Sequence, residues 1–148
     1  MISRKWSAPI FGVAMFAAGF GLRGFVGGET AHAQGSTRVF EMRTYTAAPG
    51  KFAALQSRFR DHTLRIFEKH GMQNIGYWVP ADGPASENTL VYILAHKDRE
   101  AAKKSWAAFG ADPEWQKVRT ASMAPDGVSL TTKVESVFLN PTDYSPMK

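Results

Sequence analysis

The sequence predicts an α+β domain of the ferredoxin-like kind, with elements in the order β-α-β-β-α-β. Three observations carry that reading. Apolar residues alternate or run on in four short segments, recur at spacings of three and four in two others, and glycine- or proline-bearing turns stand where the period changes. A sheet connected in this way carries its helices on one face, so its other face must be covered by something else.

Val39 to Tyr45 alternates, with Phe40, Met42 and Thr44 on one side and Glu41, Arg43 and Tyr45 on the other, which predicts the first strand. Ala48-Pro49-Gly50 ends it as a turn. From Lys51 to His70 the residues Phe52, Leu55, Phe59, Thr63, Ile66 and Phe67 form one stripe of a helix. Gly71 stands where a left-handed cap belongs, and Lys69 and His70 suit the negative end of the helix dipole. Asn74 to Val79 is the second strand, with Ile75, Tyr77 and Val79 on one face and Trp78 on the other. Pro80 to Asn88 has loop composition, and Thr89 to Ala95 is a third strand apolar enough to be covered on both faces. Strands two and three should pair antiparallel.

Asp98 is a cap for a helix from Arg99 to Phe109 that turns Ala102, Trp106 and Phe109 inward. Gly110 is expected to break it, and Asp112-Pro113-Glu114 to restart a helix continued by Trp115 and Val118. After a turn at Pro125-Asp126-Gly127, Val128 to Leu139 is the fourth strand, and 141–148 is an irregular tail. The domain is thus expected over residues 38–140. If the bare sheet face carries apolar side chains from strands two and three, a second copy should cover it, giving a homodimer whose two sheets enclose a barrel.

Residues 1–33 read as a secretory signal. Arg4 and Lys5 supply the positive start, Ala8 to Leu22 the apolar run, and Ala31-His32-Ala33 the small-x-small site, with cleavage expected before Gln34. The apolar run is shorter than the ~20 residues a membrane-spanning helix needs and is interrupted by glycine, so no stable membrane anchor is expected after cleavage. Ser3-Arg4-Lys5 is similar to a twin-arginine signal with lysine in the second place, which favours the general export route. The mature protein is therefore expected to be periplasmic or secreted.

Composition excludes several classes. With no cysteine, disulfide stapling, thiolate catalysis and cysteine zinc sites are ruled out, and 44% apolar residues suffice for a packed core. The formal charge of +5 falls to about +3 once the leader is set aside, and the remaining cations are interleaved with acids, as in Arg60-Asp61 and Glu68-Lys69. That is a mixed solvated surface, and nucleic acid is not an expected partner. There is no phosphate-cradling glycine loop, G-x-S-x-G elbow, H-E-x-x-H or dinucleotide fingerprint.

Phe40-Glu41-Met42-Arg43-Thr44-Tyr45 followed by Pro49-Gly50-Lys51 resembles the opening of a NIPSNAP domain. Lys69-His70-Gly71 leading to Gly76-Tyr77-Trp78 resembles that family's junction between helix and second strand, and Asp112-Pro113-Glu114-Trp115 a segment of its second helical region. The resemblance runs over roughly residues 38 to 140 and implies a dimeric α+β barrel. It implies little about activity, because related barrels include cofactor-independent monooxygenases, haem-handling enzymes and isomerases, and fold does not choose among them. The better-known eukaryotic members are linked to mitochondria and vesicle traffic, partners that a chain with this leader does not inherit.

Among candidate site residues, His62 is expected on the buried stripe of the first helix and His70 at its end. Eight residues separate them, about 12 Å along the axis, too far to share one metal; each remains a candidate base or haem ligand, or a structural histidine. Arg43 can anchor a carboxylate or enolate with Tyr45 as a nearby donor, or Glu41 and Arg43 can simply pair. Trp78 and Tyr92, with Trp106 and Trp115, can line an apolar pocket or fill the core. The leading expectation is an exported dimer that binds a small apolar or aromatic molecule through Arg43, Tyr45, Trp78 and Tyr92. Whether it turns that molecule over stays open; if it does, the chemistry is oxygenase- or isomerase-like, needs no cofactor or metal, and uses His62 or His70 for proton exchange. Two alternatives stand beside it: a haem-binding or haem-degrading protein with one histidine as axial ligand, and a non-enzymatic protein-interaction module.

Overall fold

A computed structural model describes residues 38–123 and 126–148; the predicted leader and its cleavage site lie outside them. The elements are β1 (Val39–Ala47), α1 (Phe52–Arg58), a π turn (Phe59–Thr63), α2 (Leu64–Lys69), β2 (Gln73–Trp78), a 3-10 turn (Pro84–Glu87), β3 (Thr89–His96), α3 (Arg99–Ala111), α4 (Pro113–Met123) and β4 (Thr131–Leu139). All four strands pair antiparallel in the order β2-β3-β1-β4, the ferredoxin-like arrangement that the alternating pattern predicts.

The alternation in β1 decides which residues meet the helices. Glu41, Arg43, Tyr45 and Ala47 face them, together with Leu90, Tyr92, Leu94 and His96 of the neighbouring β3. Between sheet and helices lies a core of Leu55, Phe59, Ile66, Phe67, Met72, Tyr92, Leu94, Phe109 and Leu130. Each of these large side chains contributes roughly 1.5–3 kcal/mol on burial.

Four expectations are corrected. The first helix is not uniform: at its middle the Leu64 N–H bonds back to the Phe59 carbonyl, and the Thr63 hydroxyl donates to the Arg58 carbonyl (3.1 Å). A π turn takes more residues per revolution than an α turn; Thr63 is buried, as its place on the stripe predicts, while His62 turns outward into solvent. In β2, the register slips between Asn74 and Gly76, leaving Ile75 in a bulge; Asn74 and Tyr77 then face the helices together, and the Tyr77 hydroxyl donates to the Asn74 side chain. The third correction concerns α3, which runs through Gly110 and stops at Asp112. Pro113 forces its predecessor out of helical geometry, and Asp112 takes an extended ψ of 122°. Finally, β4 begins at Thr131 rather than Val128.

The other sheet face carries Met42, Val91, Ile93, Val137 and Trp78. Val137 is 50% and Trp78 51% exposed. The irregular tail crosses one end of this face, where Pro141, Ser145 and Met147 border a hollow shared with Phe40, Ile93 and Leu139. Trp78 packs against Gly76: a Cβ there would stand 2.5 Å from its ring, which would have to shift.

Candidate functional site

One end of the interior is organised by Glu41, which is 1% exposed. Its Oε1 accepts from Arg43 Nη1 (2.7 Å) and Ser136 Oγ (2.6 Å), and its Oε2 from Trp106 Nε1 (2.7 Å) and His96 Nε2 (3.0 Å). A carboxylate offers about four lone-pair sites, and here each has a donor. Burial pushes the Glu41 carboxyl up, but the hydrogen bonds from His96, Ser136, Trp106 and Arg43 outweigh it and bring the pKa down to about 2. The alternating pattern anticipated the pairing of Glu41 with Arg43, though not the other three donors. His96, one residue beyond the Thr89 to Ala95 strand that the sequence predicts, is the buried last residue of β3.

From this hub Arg43 reaches across the ring of Trp106, its Cζ 4.2 Å from the centroid, and towards Tyr45 (5.7 Å). Tyr45 stands edge-on to Phe59 (5.7 Å) and Tyr92 (5.3 Å), and Tyr77 stacks on Tyr92 at 5.3 Å. Tyr92 is wholly buried. Its hydroxyl, beside the Tyr45 phenol, makes no well-formed hydrogen bond, and burial holds its pKa well above the usual phenol value, so it stays a donor. Of the six predicted site residues, the fold therefore brings Arg43, Tyr45 and Tyr92 together.

A second arginine enters the same interior from the last turn of α1. Arg58 places its Cζ 5.2 Å from the Trp115 ring, donates to Ser122 Oγ (3.2 Å), and lies within electrostatic reach of Tyr45 and Tyr92, as Arg43 does. The Nε atoms of both arginines are buried without a hydrogen-bond partner among the described residues. Sequence reasoning passed over Arg58. Its one signal was position: three residues after Leu55 and beside Phe59, it sits at the edge of the buried stripe.

Arg58 also forms part of the wall of a groove of about 630 Å³ between the first helical arm and α4, with Ala54, His62, Lys117, Val118 and Ser122 among its other walls. On the other side of the π turn is a smaller hollow of about 240 Å³ bordered by Phe59, Leu64, Tyr77 and Leu90. The π turn thus stands between the two openings, and such turns are found often at functional sites.

The remaining predicted residues lie elsewhere. His70 Nε2 is 2.6 Å from Asp112 Oδ2, which Lys69 also reaches at 2.7 Å. The other oxygen of Asp112 accepts from the backbone N–H groups of Glu114 (2.7 Å) and Trp115 (3.4 Å), capping α4. Lys69 and His70 together hold the Asp112 carboxyl well below the ordinary range. The His70 contact therefore ties the end of α2 to the start of α4. Trp78 is on the opposite face of the sheet from Tyr92. Among the described residues, no group of three or more His, Asp or Glu side chains is arranged to hold a metal ion.

This is an open antiparallel sheet with its helices on one side and a polar, aromatic interior, a fold shared by NIPSNAP domains and by cofactor-independent oxygenases of the α+β barrel class. A NIPSNAP family model matches residues 40–146, and the chain belongs to the NIPSNAP family. Two NIPSNAP structures illustrate the likeness. A family protein of unknown function from Agrobacterium tumefaciens is 24% identical, with a TM-score of 0.65 over 77% of this chain and 96% of its own. An uncharacterized NIPSNAP domain protein from Burkholderia xenovorans is 28% identical, with a TM-score of 0.60 over 73% and 98%. The cofactor-independent oxygenase SnoaB from Streptomyces nogalater, 18% identical, reaches a TM-score of 0.50 over 74% and 98%, a likeness of fold alone. No curated protein matches the chain.

Proposed function

We propose that this NIPSNAP domain receives a small aromatic molecule between its helices and its sheet, through the groove beside the π turn. One observation carries the reading. Arg43 Nε and Arg58 Nε are both buried without a hydrogen-bond partner among the described residues, at the edges of one cluster of aromatic rings. A buried polar atom without a partner costs roughly 1–3 kcal/mol, and a ligand with acceptor atoms beside that cluster would recover it. Ala54, Val118 and Ala121 give the groove apolar wall and Arg58 a donor for orientation, while Phe59 and Tyr77 border the smaller hollow across the π turn, the usual division of labour in a small-molecule site. His62, on the groove wall, is the base available to such a ligand; His70 is committed to Asp112. Cofactor-independent oxygenation or isomerisation is the chemistry to test first.

The same proposal includes a homodimer closed over Met42, Val91, Ile93, Trp78 and Val137, and export directed by the leader. Apolar residues on an exposed sheet face are the ordinary signature of an isologous contact. Native mass spectrometry of the purified protein tests pocket and dimer together. The expected result is twice the subunit mass with a small molecule retained; a monomer at high concentration would remove the barrel. N-terminal sequencing of the secreted form should begin at Gln34.

A further inference from the structure

The two interior arginines differ in one respect. Arg43 has a carboxylate at 2.7 Å, whereas Arg58 has none among the described residues. Everything that touches Arg58 fixes its direction without balancing its charge. The Trp115 ring covers a face of the guanidinium, the Ser122 hydroxyl takes Nη1, and Nε is buried with nothing to accept its hydrogen. Arg119, on the adjacent turn of α4, adds a like charge, and burial together with that charge pushes the Arg58 pKa down. Of the carboxylates on the groove wall, Glu114 is taken by Arg65 and Lys69, and the exposed Asp61 forms no ion pair with Arg58. Lys117 lines the groove as a further cation.

A buried cation is normally paired, and guanidinium is the side chain best shaped to take a carboxylate through two parallel N–H groups. We infer that the molecule received by this groove is an acid, an aromatic carboxylate, and that Arg58 is its counter-ion. This rests on the pocket proposed above and adds the ligand's charge to it. Arg43 then acts differently: already neutralised by Glu41, it borders the aromatic shell without drawing the anion. Trp115 and Ser122 are positioning residues, since one ring and one hydroxyl touch the guanidinium on the groove wall. The class of ligand is therefore a planar ring system bearing one carboxylate, rather than a neutral polycycle or a quinone.

The test is a matched pair of probes, 2-naphthoate and 2-naphthamide, titrated into the purified full chain and followed by quenching of tryptophan fluorescence. Trp115, against Arg58, contributes to that signal together with the other tryptophans. The expected result is at least tenfold tighter binding of 2-naphthoate. In Arg58→Gln that preference should vanish, the naphthoate falling to the affinity of the amide; Arg58→Lys should keep part of it. Equal affinity of the two probes for the parent protein would overturn the inference and leave the pocket standing, and this comparison needs no variant. A preference that survives Arg58→Gln but is lost in Arg43→Gln would overturn it too. If neither probe binds, the pocket itself falls and the acid with it.

Discussion

Two arginines stand against two tryptophans inside this domain, and their surroundings part at one atom group. Arg43 lies on Trp106 and Arg58 on Trp115; both come near Tyr45 and Tyr92, and both bury an unused Nε. Glu41 pairs with the first, and no carboxylate among the described residues pairs with the second. The directions of their pKa shifts follow. Burial lowers both, but Tyr45, Tyr92 and Glu41 carry Arg43 above its ordinary value, while Arg58, with Arg119 nearby, stays below. The difference is one of charge: the Glu41 carboxylate balances the first guanidinium within the fold, whereas the second, at the wall of an opening, has no such balance among the described residues.

The comparison breaks most visibly at Glu41. Glu41→Gln leaves Arg43 without its counter-charge and should cost on the order of 3 kcal/mol in urea unfolding. The effect has a pH signature. Because the folded-state pKa is depressed from 4.5 to about 2, the contribution is complete above about 4.5 and is lost as pH falls towards 2. The parent should therefore lose stability across that window, and Glu41→Gln should lose less. Next in size is Asp112→Ala, which removes the cap of α4 and the partner of Lys69 and His70, and should cost about 1 kcal/mol by the same assay. Smallest is His62→Ala. On an exposed turn it should shift stability by less than about 0.5 kcal/mol, and a loss above 1 kcal/mol would contradict its placement in solvent.

Much of the fold was legible because its signals are local. The alternation of Phe40 to Tyr45, the stripe from Phe52 to Phe67, and Gly71 at φ +76° each follow from a few neighbouring residues. The failures share a cause: one residue inserted or retained where periodicity assumes none. The π turn adds one in the first helical arm and carries His62 outward; the bulge at Ile75 adds one in β2 and brings Tyr77 inward. No residue type in either segment announces the insertion. The site was legible where a single strand supplies it, as with Arg43 and Tyr45. Arg58, Ser122 and Trp115 come from two helices packed side by side, and His96 and Ser136 reach Glu41 from the strands on either side of β1. Such meetings depend on packing that sequence spacing does not encode.

The account's central claim is that Arg58 serves a ligand and Glu41 serves the fold. Its most direct test is urea unfolding of the parent, Glu41→Gln and Arg58→Gln with and without 2-naphthoate at about 100 times its parent Kd. The parent should gain about 2.7 kcal/mol from the ligand. Arg58→Gln should be as stable as the parent or slightly more so when free, because removing an unpaired buried charge relieves desolvation, and should gain about 1.4 kcal/mol less. An Arg58→Gln protein as unstable as Glu41→Gln, or one that 2-naphthoate stabilises as fully as the parent, would contradict the claim.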